Sequence, residues 1–151
     1  MPRAISLEHP LRSAARHRHS ARAFRDAAVS AADLRAVLEA ARWAPSSYNE
    51  QPWRFLVGRR EEPEAFRRLL RCLDAGNRRW AAAAPVLLIA CARRTFSRNE
   101  RENGHARHDL GLALGQLFVE AAARGLQAHP MGGFDAARVR RLWACRIRSS
   151  R

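Results

Sequence analysis

The sequence predicts an α+β domain, and three observations carry the prediction. Helical and strand-like patterns are mixed without a regular strand–helix–strand repeat. Residues 85–92 (PVLLIACA) are apolar on both faces and too short for an independent helix, so they read as a buried central strand. Residues 110–123 form the longest apolar helical pattern, with apolar side chains spread around the axis.

The elements follow in order. Ser30 with Asp33 is a capping-box variant, and Leu34, Val37, Leu38 and Ala41 recur at helical spacing until Ala44 and Pro45 end the pattern, giving a helix over 31–43. Residues 53–58 (WRFLVG) are short, aromatic and β-branched, which predicts a strand. Pro63 then opens a helix in which Phe66, Leu69, Leu70 and Leu73 share a face. Asp109 is expected to begin the long apolar helix, whose Gly111 and Gly115 permit close approach and which Gly125 ends. A helix apolar on all sides needs cover on all sides, either under a sheet or against a second subunit. Asp135 caps a last helix through Val139, Leu142 and Trp143.

Composition bounds the rest. At 151 residues, with 47% hydrophobic and 28% charged, the chain fits one domain with a sizeable core. No apolar run approaches the ~20 residues of a membrane helix, and the basic N-terminus lacks a signal-peptide core, so the expected location is cytoplasmic. Cys72, Cys91 and Cys145 are odd in number and lack CxxC spacing, which predicts buried free thiols. The formal charge of +14 raises nucleic acid as a partner. Its placement argues against one: residues 1–25 hold six arginines against Glu8, and 138–151 hold six with no acid. A basic nucleic-acid binder is therefore the weakest functional reading, since a binding face would carry a basic stripe with interleaved aromatics.

Three polar clusters lie at element boundaries. Arg18, His19, Ser20 and Arg22 combine two guanidiniums and a hydroxyl, the donors a terminal phosphate requires, although a solvated arginine-rich helix has the same composition. Residues 45–52 (PSSYNEQP) offer many donors and acceptors between two prolines, and could edge a planar heterocycle or make an ordinary helix-to-strand turn. After His129, residues 130–134 (PMGGF) either open backbone N–H groups to a ligand or form a tight turn before Asp135. His105 and His108 stand at i, i+3 without further ligands nearby in sequence and read as helix-start residues, so no metal is expected.

Together the segments resemble the nitroreductase family of FMN-dependent oxidoreductases. RHSARAF at 18–24, APSSYNEQPWRFLVG at 44–58, Asn77 with Trp80 before AAAAPVLL, HARHDLGLALGQL at 105–117 and GLQAHPMGGFD at 125–135 occur in family order, over roughly 12–143. The resemblance implies a central, mostly antiparallel or mixed sheet flanked by helices, with the long buried helix at a homodimer interface. It implies that Arg18, His19, Ser20 and Arg22 hold the FMN phosphate and ribityl oxygens, with Arg22 reaching the flavin pyrimidine edge. Pro45, Ser46, Ser47 and Asn49 would come from the partner subunit to the isoalloxazine, and Asn77 would hydrogen-bond the flavin. Pro130, Met131, Gly132 and Gly133 would cover one flavin face and donate backbone N–H toward N5 and O4. The implied activity is reduction of nitroaromatic, quinone or related small-molecule acceptors by NAD(P)H in a ping-pong cycle, with no catalytic side chain required.

Family members continue past the MGGFD helix into a further strand and an arm that wraps the partner. Here 144–151 (ACRIRSSR) form an atypical basic tail instead, so the expectation is a single domain over 12–143 with an incomplete, truncated or frameshifted C-terminus. The competing reading is a non-catalytic remnant or dimer-partner protein that keeps the fold's signature without stable FMN.

Overall fold

A computed structural model describes residues 9–11 and 13–149, the side chains of 143–149 excepted. The readings for the Trp143 and Cys145 side chains, and for the side chains of the 144–151 tail, lie outside the described residues. The elements are α1 (Ser13–His17), α2 (Ala31–Arg42), a 3-10 turn (Ser47–Asn49), β1 (Trp53–Arg59), α3 (Pro63–Leu70), α4 (Ala75–Ala81), β2 (Val86–Ala92), α5 (Ala106–Ala123) and α6 (Ala136–Ser149). Helices therefore surround one antiparallel pair of strands, in register from Trp53 opposite Ala92 to Arg59 opposite Val86. The class is α+β, as predicted, and the sheet among the described residues is antiparallel with two strands, with no mixed pairing.

Local chemistry sets the element ends. The Ser30 hydroxyl oxygen accepts the Asp33 N–H at 3.0 Å, and Asp33 in turn accepts the Ser30 hydroxyl at 2.6 Å, which starts α2 at the predicted residue. Asp135 starts α6 in the same way, its Oδ1 accepting the N–H groups of Ala137 and Arg138 at 2.9 and 3.0 Å. Gly125 follows α5 at φ 71°. α5 begins three residues earlier than predicted: His105 occupies its N-cap position and Asp109 lies in the first turn, where its carboxylate is free to bond elsewhere. The Arg18–Phe24 stretch is irregular, so the arginine-rich helix that its composition allowed does not form.

The period-2 geometry of β1 sends side chains into two cores. Trp53 packs with Val37, Ala41, Ala113, Leu117 and Ala121 between α2 and α5, with Phe55 against the same cluster. Leu56 on the other face joins Phe66, Leu69, Leu73, Ala81 and Leu87 under α3 and α4. β2 differs from its reading as a buried central strand. Only Leu87 is buried and its other residues are half-buried, because its second edge pairs with no strand among the described residues. α5 is buried at Ala113, Leu117 and Ala121 toward α2, but leaves Leu112 and Val119 exposed. No described helix is long and apolar enough to cross a membrane.

Candidate functional site

An apolar cleft of about 610 Å³ runs along β2 between α5, the irregular segment after α1 and the loop after α5. His19, Phe24, Trp80, His129 and Met131 are among the residues that line it. Trp80 organises its aromatic wall: Phe24 stacks on it at 6.2 Å between centroids, and the His129 ring tilts against it at 4.6 Å.

Arg18, His19, Ser20 and Arg22 are all exposed; His19 lines this cleft, whereas Arg18, Ser20 and Arg22 lie on the same segment without lining it. The His19 ring Nδ1 donates to the carbonyl of His17 at 3.1 Å. Among the described residues neither Arg18 nor Arg22 forms an ion pair, in a protein where most acids are already taken by other arginines. Two uncommitted guanidiniums beside a hydroxyl form a donor set suited to a phosphate and poorly suited to a metal ion.

Across the cleft, the two glycines of the 130–134 loop differ. A Cβ on Gly133 would stand 1.9 Å from Asp74 Oδ2 and 2.6 Å from Asn77 Nδ2, so a side chain there would have to displace both. A Cβ on Gly132 would meet nothing, and Pro130 and Gly132 are exposed on either side of the half-buried Met131. Asn77 sits in the first turn of α4, where Asp74 caps the helix by accepting its N–H at 2.7 Å. Its side-chain amide donates to the Gly133 carbonyl at 3.2 Å, so this donor serves the loop and leaves the amide oxygen available.

The Ala44–Pro52 segment lies elsewhere: none of Pro45, Ser46, Ser47 and Asn49 lines the cleft. Tyr48, Asn49 and Gln51 all have φ near 50°, a conformation that costs non-glycine residues of order 1–3 kcal/mol each and persists only under external constraint. The constraints are visible. Asp109, 3% exposed, accepts the Ser47 N–H at 3.0 Å, and Ser46 Oγ accepts the Gln51 N–H at 2.9 Å. Glu50 accepts both the N–H and the hydroxyl of Ser97, at 2.8 and 3.1 Å. Tyr48 meets Phe96 edge-on, and the Arg98 guanidinium covers its ring at 4.2 Å. His108 Nδ1 lies 3.2 Å from the other Asp109 oxygen, while His105 stays at the helix start.

Both described thiols are held toward the protonated form. Burial pushes the pKa of Cys72 up, with the Asp135 carboxylate adding to the effect, and burial alone does so for Cys91. The structure also adds residues that the sequence did not single out for the site. Gln127 and His129 bind the backbone of the 17–21 segment, and Asp74 crowds Gly133. Of these, only Asp74 had a local signal, as an N-cap residue three positions before Asn77.

The fold is one that an FMN-containing oxidoreductase has. The chain is similar to a solved structure described as an oxidoreductase containing FMN, at TM-score 0.82 and 33% identity over 89% of this chain and 69% of that one. The model of the nitroreductase family matches residues 15–73 and 59–146, and the chain belongs to that family. It is 37% identical over 139 residues to a Leptothrix cholodnii protein named "Putative NADH dehydrogenase/NAD(P)H nitroreductase", covering 78% of this chain and 68% of the relative. An uncharacterized 15.4 kDa protein of Mycolicibacterium smegmatis is 42% identical over 92 residues, 56% of this chain and 60% of its own length. The chain thus spans between three fifths and about two thirds of these relatives.

Proposed function

We propose that the chain is an FMN-dependent oxidoreductase that takes electrons from NAD(P)H and passes them to a nitroaromatic, quinone or related small-molecule acceptor in a ping-pong cycle. The observation that carries this reading is an apolar cleft lined by His19, Trp80, His129 and Met131, with the exposed guanidiniums of Arg18 and Arg22 on the same segment as His19 and, among the described residues, in no ion pair. Bound FMN would supply the hydride-accepting and hydride-donating chemistry.

The chain's own groups have separable tasks in this reading. Arg18, His19, Ser20 and Arg22 hold the phosphate and ribityl oxygens by charge-assisted hydrogen bonds, and Arg22 favours negative charge at the pyrimidine edge. Pro130, Met131 and Gly132 cover one face, and Met131 and Gly132 offer backbone N–H groups. Asn77 acts through Gly133, whose carbonyl it holds. Pro45, Ser46, Ser47 and Asn49 stand outside the cleft, and in this reading they reach the flavin of a second copy of the chain. The exposed Leu112 and Val119 on α5 supply apolar surface for that homodimer.

The test is a titration of the purified chain with FMN, followed by NAD(P)H oxidation with and without a nitroaromatic acceptor. The reading expects a yellow protein whose flavin is bleached by NAD(P)H and recoloured by the acceptor. A colourless protein that FMN does not saturate would overturn it. That outcome favours the second reading, a family member that keeps the fold without stable FMN, which the second edge of β2, unpaired among the described residues, supports.

A further inference from the structure

Between His17, where α1 ends, and Ala31, where α2 begins, the chain has no regular element, yet the candidate phosphate donors lie within this stretch. Its path is fixed by side chains from the loop after α5. The Gln127 side-chain Nε2–H donates to the His17 carbonyl at 3.1 Å, and its Oε1 accepts the His19 N–H at 3.2 Å. One amide thus satisfies residues i and i+2 of an extended segment, the pairing a neighbouring strand would offer. Arg18 lies between the two bonded residues, so its Cα position is set by this clamp.

Two residues further on, the His129 ring takes up the same segment. Its Nδ1 is 3.1 Å from the Ala21 carbonyl, and because a carbonyl only accepts, this nitrogen carries the proton. The other end of the loop is anchored independently of the N-terminal segment. Gly133 O accepts from the Asp74 N–H at 3.1 Å and the Asn77 amide at 3.2 Å, and the Asp135 N–H donates to Cys72 O at 2.7 Å. The loop is therefore a splint, fixed to α4 at one end and holding the arginine segment with Gln127 and His129 at the other.

We propose that Gln127 is a positioning residue for the cofactor phosphate: its side-chain amide fixes the His17–His19 backbone and thereby sets the placement of Arg18 and Ser20. The inference rests on the FMN reading above and adds to it a residue that acts through the backbone it holds. A purely structural residue would move the stability of the fold and the binding of any flavin together. A residue that positions the phosphate donors moves binding of FMN far more than that of riboflavin, which lacks the phosphate.

The experiment measures affinities of the full chain for FMN and riboflavin, with thermal stability alongside, in wild type, Q127M and Q127N. Methionine keeps the length and volume of glutamine without its hydrogen bonds, and asparagine keeps the amide but is one methylene too short to reach. Both variants should lower the FMN-over-riboflavin preference about tenfold, equivalent to about 1.4 kcal/mol, with riboflavin affinity falling far less than FMN affinity and the melting temperature unchanged. A wild type with no preference for FMN removes the phosphate reading itself and the inference with it. A wild type that prefers FMN while Q127M and Q127N retain the full preference overturns the inference alone. Equal losses for both flavins with a lowered melting temperature also overturn it, by assigning Gln127 to the fold.

Discussion

The side-chain amide of Asn77 donates to the carbonyl of Gly133 at 3.2 Å, and the Asp74 carboxylate that caps Asn77's helix occupies the space where a Cβ on Gly133 would stand. Helix cap and loop therefore share one small volume. Gly133→Ala must push Asp74 off the Asn77 N–H, and losing such a cap costs about 1 kcal/mol before the Asn77 bond to the loop is counted. G133A should lower stability by about 1–2 kcal/mol, read as a shift of the urea midpoint at unchanged slope. Gly132→Ala should stay within about 0.5 kcal/mol, since its Cβ would meet nothing. Equal effects of the two substitutions would show that the crowding at Gly133 is not what selects glycine.

How far the sequence could foresee this arrangement depends on the range of the interaction that sets each part. Caps are local, so Ser30 and Asp135 marked the starts of α2 and α6 correctly. α4 was not legible as a helix because its seven residues (AGNRRWA) bury only Ala81 and present no apolar stripe; its sole signal was the Asp74 cap. The apolar run of β2 showed that the strand seeks burial on both faces, but no local pattern states which element supplies it. The left-handed conformation of Tyr48 is likewise imposed from outside, by Asp109, Phe96 and Arg98. Gln127 pairs with a backbone more than a hundred positions away, and such a contact leaves no mark in the neighbouring residues.

Asp109 offers a second test, because a buried carboxylate that accepts a loop N–H leaves that donor unpaired when removed. D109A should destabilise the protein by about 2 kcal/mol, the cost of an unsatisfied buried group together with a small cavity. D109N keeps an oxygen that can accept the Ser47 N–H and should lose less than half as much. The loop readout is proteolysis at Arg54 and Arg42, which should accelerate in D109A once Tyr48, Asn49 and Gln51 are no longer held at positive φ. A D109A protein with wild-type urea midpoint and wild-type cleavage would show that the Ser47 contact does not hold the loop.

The α6 cap gives the protein an acid-sensitive term. The Arg138 N–H, then the Ala137 N–H and the charges of Arg138 and Arg141, hold the Asp135 carboxyl below its ordinary range. A carboxyl with a depressed folded pKa binds protons less readily folded than unfolded. Its contribution is therefore fully present above the ordinary carboxylate range and is lost as pH falls through the folded value. D135N retains a good N-cap but removes the titration. Urea midpoints measured over a series of acidic pH values should fall less steeply for D135N than for wild type below that range, and the two slopes should agree near neutrality. Parallel curves throughout would exclude Asp135 from the acid limb.

The exposed apolar face of α5 makes the last prediction. Leu112 and Val119 stand seven residues apart, two helical turns on one face, with 38% and 42% of their surface open while the opposite side of the helix is buried on α2. In the proposed homodimer this face is covered, and each subunit brings Pro45, Ser46, Ser47 and Asn49 to its partner's flavin. Replacing both residues with glutamate places like charges opposite one another across a two-fold interface, where each lacks a counter-ion. L112E/V119E should therefore sediment as a monomer at concentrations where the wild type is a dimer. Because both positions are solvent-facing in the single chain, the helical circular-dichroism signal of the variant should be retained. Flavin affinity should fall at least tenfold, as 1.4 kcal/mol or more of contact from the neighbouring loop is lost. A monomeric variant that holds FMN as tightly as wild type would assign the whole flavin site to one subunit and remove the Ala44–Pro52 segment from it.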